Sequence, residues 1–283
     1  MKLVMTLLVR DEEDIVAATI DFHLECGVDF IIAMDNLSVD RTPEILRSYE
    51  RSGVLHYILQ TEDTYMQHSW VTSMARLASV RFGADWIINC DADEFWYPEE
   101  NDLKQILGAI PDRYGAVAVQ RTNFVPRRAQ TDDFFADVMT VRERVSLNVL
   151  GHPLPPKVCH RAFSDIEIDQ GNHCVRRSTA EVNTTSAPIT ILHFPIRSYR
   201  QLANKIALGG AAYARNASLP KDIGATWRHL YEISQKGELG AYFDSVAHDD
   251  ADIERGVGEE RFVYDDRLKL ALAKNHGRHC SAE

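Results

Sequence analysis

The sequence predicts an α/β protein with a mostly parallel central sheet flanked by helices, a smaller mixed β region and a helical C-terminal part. Two observations predict this fold class. In the first half of the 283 residues, short continuous apolar runs alternate with segments whose apolar residues recur at helical spacing. Polar, mostly acidic clusters directly follow several of these runs. Strands separated by helices of about 10 to 15 residues form βαβ units, which build parallel sheets.

Five apolar runs are predicted strands, because such runs are typical of strands buried on both faces. They are residues 2–9, 30–34, 54–59, 86–90 and 116–120. Helical spacing predicts helices over residues 15–26, 42–49, 71–82 and 103–107. Thr42 and Pro43 suit a helix N-cap followed by a first-turn proline, and Gly27, Gly53 and Gly83 suit helix ends.

The pattern changes after residue 121. Short β-like segments, prolines and polar turns extend to residue 195, including an apolar strand over residues 189–192. Tyr199, Leu202, Ile206 and Tyr213 then predict one long helix, and the tail from residue 216 has a polar, helical pattern. We therefore expect a domain over residues 1–215 and a helical extension over residues 216–283.

Composition disfavours several classes of protein. Lys and Arg total 31 and Asp and Glu total 42, for a net charge of −11. This charge disfavours broad binding to nucleic acid or anionic membranes. No apolar run approaches about 18 residues, so no transmembrane segment is expected. The five cysteines form no CxxC pair, which favours a reducing compartment. We expect a cytoplasmic protein, or one peripheral to the inner membrane.

The strongest motif is Asp91-Ala92-Asp93-Glu94, directly after a predicted strand. Right-handed crossovers bring the carboxyl ends of parallel strands to one edge, where open α/β sheets bind ligands. Two carboxylates one residue apart are hard oxygen donors that suit Mg²⁺ or Mn²⁺. The alternative is a solvated acidic turn.

Two other polar clusters follow strands. The segment from Asp35 to Thr42 comes after the second strand, and Asp35 could hydrogen-bond a base or ribose. A turn with helix capping is the alternative. Arg10 follows the first strand and could face a nucleotide, whereas a charged helix N-terminus is the alternative.

Together these motifs resemble glycosyltransferases of the GT-A fold, specifically the family 2-like group. The resemblance is carried by Arg10-Asp11-Glu12, by the D-N-x-S-x-D-x-T pattern of residues 35–42 and by the D-x-D-E-F pattern of residues 91–95. It covers residues 1–125 and extends more loosely through residues 156–158, 171–173 and 192–199.

The resemblance implies a metal-dependent, inverting enzyme that moves a sugar from a nucleotide-diphosphate sugar to an acceptor hydroxyl. The expected donor is a UDP-sugar, and the expected cofactor is Mn²⁺ or Mg²⁺. The expected acceptor is a glycan, a glycolipid or a small molecule. A bacterial surface polysaccharide is one product that would agree with this activity. Residues 1–125 are then the nucleotide-sugar-binding half and residues 126–215 the acceptor half of the domain.

The resemblance also implies roles for individual residues. Asp35 and Asn36 contact the nucleoside, Asp93 holds the metal on the diphosphate, and Asp91 lies on the ribose or beside the metal. His193 is the expected further metal ligand, with His173 as its rival. The other expected nucleotide-sugar contacts, each of which could instead be a solvated surface charge, are Arg10, Arg76, Arg197 and Lys205.

Inverting transfer needs a general base for the acceptor hydroxyl. The Glu-Asp pair that often supplies it in family 2 has no clean match here. Asp169 and Glu94 are the main candidates, and Asp132 with Asp133 are a third. Trp96 and Tyr97 are candidates for lining the acceptor side.

Two other functions are alternatives. A nucleotidyltransferase usually carries a glycine-rich basic loop after its first strand, and residues 10–13 contain no glycine. A non-catalytic nucleotide- or glycan-binding module of the same fold is the other alternative. For an enzyme, we expect Asp93→Ala to abolish turnover with the fold intact. We expect Asp35→Ala to weaken nucleotide binding with little loss of stability.

Overall fold

The computed structural model describes residues 1–63, 66–100, 102–128, 133–216, 220 and 223–279, with side chains described to residue 274. The strands are β1 (Leu3–Val9), β2 (Phe30–Asn36), β3 (Leu55–Gln60), β4 (Trp86–Asp91), β5 (Glu94–Pro98), β6 (Ala116–Val119), β7 (Arg121–Asn123), β8 (Val141–Glu143), β9 (Lys157–Arg161), β10 (Ile166–Ile168), β11 (Val175–Arg177), β12 (Thr184–Thr185), β13 (Ile189–His193) and β14 (Phe262–Tyr264).

The helices are α1 (Val16–Glu25), α2 (Thr42–Arg51), α3 (Gln67–Val80), α4 (Leu103–Gly108), α5 (Phe135–Val138), α6 (Tyr199–Lys205), α7 (Ala211–Arg215), α8 (Ala225–Gln235), α9 (Leu239–Val246), α10 (Asp250–Gly258) and α11 (Arg267–His279). A 3₁₀ turn covers Gln170–Asn172, and a π-helical turn covers Ile206–Gly210. No helix within these described ranges is long and apolar enough to cross a membrane.

The chain divides into two compact units. The first consists of residues 1–121 and 155–191, and the second of residues 122–154 and 192–283. Residue 215 lies within the second unit, and the expected division of the chain at that residue stays a prediction. The assignment of the catalytic domain stays a prediction.

The first unit is built on a seven-stranded sheet in the order β12-β6-β9-β4-β1-β2-β3. Strands β3, β2, β1 and β4 are parallel, as predicted, which confirms the α/β fold class. β9 runs antiparallel between β4 and β6. From β1 the chain adds β2 and β3 on one side of the sheet and then places β4 on the other side of β1. The position between β1 and β4 is therefore a switch point, and ligands of open α/β sheets bind at such points.

Helix α3 covers one part of this sheet because its apolar residues repeat at helical spacing. Trp70, Met74 and Ala78 are buried in a cluster that includes Val4 and Ile87 from the sheet. This packing fixes the N-terminus of α3, which matters for the site described below.

The second unit is mostly helical around a separate apolar cluster. The predicted single helix over residues 199–213 is interrupted by the π-helical turn between α6 and α7. A β-carbon on Gly209 would lie 2.6 Å from Cζ3 of Trp227, so the backbone of this turn packs directly on α8. Periodicity alone could not show this interruption.

Histidine 160 should make stability depend on pH. His160 is fully buried in β9, and burial lowers its pKa to about 4. Between pH 6.5 and 4 the unfolded state therefore binds more protons, so stability falls as pH falls through this window. We expect urea unfolding to show that the wild type loses about 3 kcal/mol more than His160→Gln between pH 7.5 and pH 4. An equal loss in both proteins would contradict this expectation.

Candidate functional site

The strand register places two acidic side chains on either side of β1. Asp35 of β2 is paired with Val9, and Asp91 of β4 is paired with Leu8. Neighbouring strands lie about 4.8 Å apart, so the backbones of the two aspartates are about 10 Å apart. Both residues stand at the carboxyl edge of the sheet, beside the switch point.

The loops that follow β1 and β2 are joined by hydrogen bonds. Three successive backbone N–H groups of the first loop donate to side chains of the second. The pairs are Asp11 to Ser38 Oγ at 2.9 Å, Glu12 to Thr42 Oγ1 at 2.9 Å, and Glu13 to Asp40 Oδ2 at 3.0 Å. The predicted N-cap role of Thr42 is wrong: Arg41 holds that position without a side-chain cap, and the Thr42 hydroxyl accepts the backbone N–H of Glu12.

Asp35 is fully buried at the end of β2. Its carboxylate accepts hydrogen bonds from the backbone N–H of Ser38 at 3.0 Å and from the hydroxyl of Tyr57 at 2.8 Å. Burial, with the hydrogen bond to Asp35, raises the pKa of Tyr57 to about 12, so the hydroxyl stays a donor. Because Asp35→Ala would remove this acceptor, the structure argues against the expected small loss of stability.

Arg10 and Asn36 meet beside these loops. Arg10 Nη1 donates to Asp63 Oδ1 at 2.7 Å and lies 3.5 Å from Asn36 Oδ1. The Asn36 amide donates in turn to the backbone oxygen of Glu62 at 2.7 Å. Arg10 Nε is buried and has no hydrogen-bond acceptor among the residues described. The structure thus brings two of the proposed nucleotide contacts together.

A buried lysine holds the D-x-D-E motif. Lys157 of β9 is only 1% exposed. Its ammonium group lies 2.5 Å from Asp91 Oδ2 and 3.2 Å from Glu94 Oε1. Burial acts to lower the pKa of Lys157, but the charges of Asp91 and Glu94 outweigh it, so the pKa is raised. Lys157 is therefore charged and paired with two carboxylates.

Two amide side chains bind the other oxygen of Asp91. Gln67, at the N-terminus of α3, and Asn172, in the 3₁₀ turn, each donate to Asp91 Oδ1 at 3.3 Å. Gln67 Oε1 also accepts the backbone N–H of Gly171 at 3.1 Å. Asp91 thus connects β4, α3, β9 and the 3₁₀ turn.

Glu94 and Asp93 are both enclosed. Glu94 is fully buried, with Lys157 on one side and Arg121 Nη1 at 3.4 Å. Burial raises its pKa to about 7, against the opposing charge of Lys157. Asp93 is 5% exposed in the turn between β4 and β5. These carboxylates are part of the folded framework and not a solvated turn.

Two proposed residues of the first unit, Arg76 and Asp169, have side-chain contacts with residues other than Asp35 and the D-x-D-E motif. Arg76 Nε donates to the backbone oxygen of Ile166 in β10 at 2.8 Å. Asp169 Oδ1 lies 2.5 Å from Arg176 Nη2 of β11, while its backbone oxygen accepts the N–H of Asn172 at 3.0 Å. Asp169 is therefore linked by its backbone to the turn that touches Asp91.

Three proposed residues lie in the second unit. His193 Nδ1 is 2.7 Å from Asn123 Oδ1. Arg197 Nη1 donates to the backbone oxygen of Phe194 at 3.1 Å. The Lys205 ammonium lies 5.6 Å from the centre of the Trp227 ring. Their nucleotide and metal roles stay predictions.

The remaining candidates have structural surroundings. His173 Nδ1 donates to the backbone oxygen of Pro156 at 2.9 Å, and burial lowers its pKa to about 4. Trp96 is fully buried, so it cannot line an open acceptor site, whereas Tyr97 is partly exposed. Asp133 is exposed, and Asp132 lies outside the described residues.

Sequence reasoning gave no role to Lys157, Gln67 or Asn172. Lys157 and Asn172 lie in two of the loosely resembling segments, Pro156-Lys157-Val158 and Gly171-Asn172-His173, which was the available signal. No sequence motif pointed to Gln67, because its contact with Asp91 follows from the position of the α3 N-terminus in the folded chain.

The fold and the site define an α/β protein whose sheet carries acidic and basic side chains at the carboxyl edge beside the switch point. Residues 7–135 match the family model described as Glycosyl transferase family 2. This match confirms, for that part of the chain, the resemblance carried by the motifs. It runs from the last residues of β1 to the first residue of α5 and includes Arg10, Asp35 and the D-x-D-E motif.

Comparisons with other proteins give weaker similarities. A structure of residues 1–349 of S. aureus TarS in complex with UDP is 12% identical, with a TM-score of 0.43 over 78% of this chain and 68% of that chain. Glucosyl-3-phosphoglycerate synthase from Mycobacterium tuberculosis, in complex with Mn²⁺, UDP and phosphoglyceric acid, is 14% identical, with a TM-score of 0.34 over 57% of this chain and 56% of that chain. No curated protein matches.

Proposed function

We propose that the chain is a glycosyltransferase that moves a sugar from a nucleotide-diphosphate sugar to an acceptor hydroxyl, with a UDP-sugar as donor. The observation that carries this proposal is the convergence of Asp35 and the D-x-D-E motif at one edge of the sheet. Both lie inside the segment that matches the family 2 model. An edge of this kind at a switch point is where α/β proteins hold nucleotides.

The proposed donor site has a nucleoside part and a diphosphate part. Asp35, Asn36 and Arg10 form the first, where Arg10 offers a cation and a buried N–H without an acceptor among the described atoms. Asp93 belongs to the second part. Asp91 acts there as an anchor, because Lys157 and two amides already occupy its oxygens.

A divalent cation shared with the donor is part of the proposal. Within the described ranges, no group of three or more His, Cys, Asp or Glu side chains is arranged to hold a metal. Mg²⁺ and Mn²⁺ usually take one or two carboxylates and complete their coordination with water and substrate phosphates. Asp93 is the carboxylate we propose for this role, and the bound cation would neutralise charge on the leaving diphosphate.

We favour Asp169 over Glu94 as the general base, because the side chain of Asp169 is the more exposed of the two. Its side chain is 33% exposed, whereas Glu94 is fully buried between two cations. A base must come within hydrogen-bond reach of the acceptor hydroxyl. We therefore propose Asp169 for an inverting transfer, and a structural role for Glu94.

Product analysis separates this proposal from its alternatives. With Mn²⁺ and a panel of nucleotide-sugars, a glycosyltransferase releases a nucleoside diphosphate by transfer or slow hydrolysis. When pyrophosphate is added, a nucleotidyltransferase instead converts a nucleotide-sugar and pyrophosphate to a nucleoside triphosphate and a sugar phosphate, and a binding module forms neither product. Release of a nucleoside diphosphate from none of the donors, together with pyrophosphate exchange, would contradict the proposal.

Donor binding should also stabilise the protein. A ligand at 100 times its dissociation constant stabilises the native state by about 2.7 kcal/mol. We expect UDP with Mn²⁺ to raise the melting temperature, and UDP or Mn²⁺ alone to raise it much less, because the cation is shared with the diphosphate. UMP with Mn²⁺ is the matched control, since it has no diphosphate. An equal shift with UMP would argue against the proposed diphosphate site.

A further inference from the structure

Two buried polar side chains of α1 contact the turn that carries the D-x-D-E motif. Thr19 and His23 are four residues apart, so they lie on the same face of the helix, and both are fully buried. Oγ1 of Thr19 lies 2.6 Å from the backbone oxygen of Ala92. Nε2 of His23 lies 3.1 Å from the backbone nitrogen of Trp96. The two contacts therefore lie on either side of Asp93 in the sequence.

The Thr19 hydroxyl has one proton and two backbone oxygens within reach. It lies 3.2 Å from the oxygen of Ile15 and 2.6 Å from that of Ala92, so the shorter contact takes the proton. The Ala92 oxygen belongs to the planar peptide group that joins Ala92 to Asp93. Thr19 therefore holds the peptide group on which the orientation of the Asp93 backbone depends.

The partners of His23 define which of its ring nitrogens carries the proton. Nδ1 lies 2.7 Å from the backbone oxygen of Thr19, which can only accept a hydrogen bond, so Nδ1 is the donor. Burial lowers the pKa of His23 to about 4, so the ring is neutral at neutral pH and Nε2 keeps its lone pair. That lone pair accepts the N–H of Trp96, while the sulfur of Cys90 lies farther away, at 4.0 Å. His23 thus fixes the start of β5.

The contacts from α1 differ in kind from those of Lys157. Lys157 pairs with the side chains of Asp91 and Glu94, whereas α1 contacts the backbone of the turn. Ala92 is 4% exposed, so its oxygen needs a hydrogen-bond partner, and Thr19 supplies one. The turn is therefore held through its backbone by one element and through its side chains by another.

We propose that Thr19 and His23 are positioning residues that fix the backbone of the D-x-D-E turn and thereby place Asp93 for the diphosphate end of the donor. The fixing of the turn follows from contacts within the first unit. Its consequence for donor binding rests on the proposed function. Loss of a residue that orients a metal ligand typically costs roughly 10- to 100-fold in affinity or activity.

NMR of the full chain tests the two hydrogen bonds without a ligand. We expect a nitrogen–nitrogen coupling across the hydrogen bond between the amide of Trp96 and Nε2 of His23. We expect Thr19→Val to shift the amide signal of Asp93, and Thr19→Ser, which keeps a hydroxyl, to shift it much less. Absence of the coupling in the wild type, or an unchanged Asp93 signal in folded Thr19→Val, would overturn the proposal.

Calorimetric titration with UDP and Mn²⁺ measures the consequence for binding. Thr19→Val keeps the shape of the side chain and removes its hydroxyl, so we expect the Kd for UDP to rise by roughly 10-fold or more. Thr19→Ser should stay close to the wild type.

Thr6→Val is the matched control for this titration. Thr6 is 1% exposed, and its hydroxyl donates to Asn89 Oδ1 at 2.8 Å. The change also removes a buried hydrogen bond of the first unit but no contact with the turn, so the Kd should not change. An equal rise in Kd for Thr6→Val and Thr19→Val would show a general effect of destabilisation and overturn the proposal.

The two measurements separate this inference from the proposed function. If no nucleoside diphosphate binds with Mn²⁺ while the coupling and the Asp93 shift are observed, the proposed function fails and the inference about the turn stands. If UDP binds equally well to the wild type and to folded Thr19→Val, the role of Thr19 in placing Asp93 is wrong, and the proposed function stands.

Discussion

Replacement of Asp93 by asparagine is expected to lower kcat for sugar transfer by about 100-fold or more, while the folded content stays unchanged. The change keeps the shape of a side chain that is 5% exposed and removes only its charge. A carboxylate that holds a cation against a leaving diphosphate acts where negative charge develops, and such electrostatic contributions are among the largest in catalysis. Initial rates at saturating donor and Mn²⁺, with circular dichroism, measure both quantities.

The control for Asp93 is the same change at an exposed carboxylate. Asp112→Asn alters a fully exposed side chain of the same unit, whose pair with Arg161 is a surface salt bridge. Such pairs contribute about 0 to 1 kcal/mol, so neither activity nor stability should change noticeably. If Asp93→Asn retains the wild-type rate at saturating Mn²⁺, the proposed role of Asp93 is wrong.

The second large effect is an expected loss of stability when Lys157 is replaced. Lys157→Met should lower the free energy of unfolding by about 3 to 5 kcal/mol, the cost of breaking a buried ion pair from one side. The substitution keeps an unbranched apolar side chain but removes the ammonium group. It leaves Glu94 fully buried, with Arg121 at 3.4 Å as its remaining described cation. Urea unfolding of the wild type and the variant measures the difference.

A surface pair gives a closely matched control. Lys104 lies 2.6 Å from Asp29, nearly the distance between Lys157 and Asp91, but both side chains are about one third exposed. Lys104→Met should therefore cost no more than about 1 kcal/mol. In the double variant Lys157→Met with Glu94→Gln, part of the loss should be recovered, because the buried carboxylate that has lost one of its two cations is removed. Equal losses for the two lysines would contradict the argument.

The parallel part of the fold could be predicted because each element there has a local cause. Continuous apolar runs mark β1 to β4, and their order follows from βαβ connections. The position of β9 could not be predicted. This strand lies antiparallel between β4 and β6, although residues 122–154, which separate it from β6 in the sequence, belong to the other unit. Its pairing depends on the finished sheet and not on a local pattern.

The candidate site, like the fold, could be predicted only in part. Asp35 and Asp91 could be predicted, since each ends a recognisable strand. The surroundings of Asp91 could not, because Lys157, Gln67 and Asn172 come from distant segments and meet it only in the folded chain. Thr42 is the opposite case: its sequence favours a helix cap, but a tertiary hydrogen bond to the β1 loop takes its hydroxyl.

The late entry of β9 has a consequence for synthesis on the ribosome. A nascent chain that has emerged only to residue 121 contains β1 to β6, yet the edges of β4 and β6 that β9 pairs with are still open. About 40 more residues must emerge, which takes roughly 2 to 8 seconds at ordinary elongation rates. During that interval the growing chain presents unpaired strand edges, which are templates for pairing between molecules and targets for chaperones.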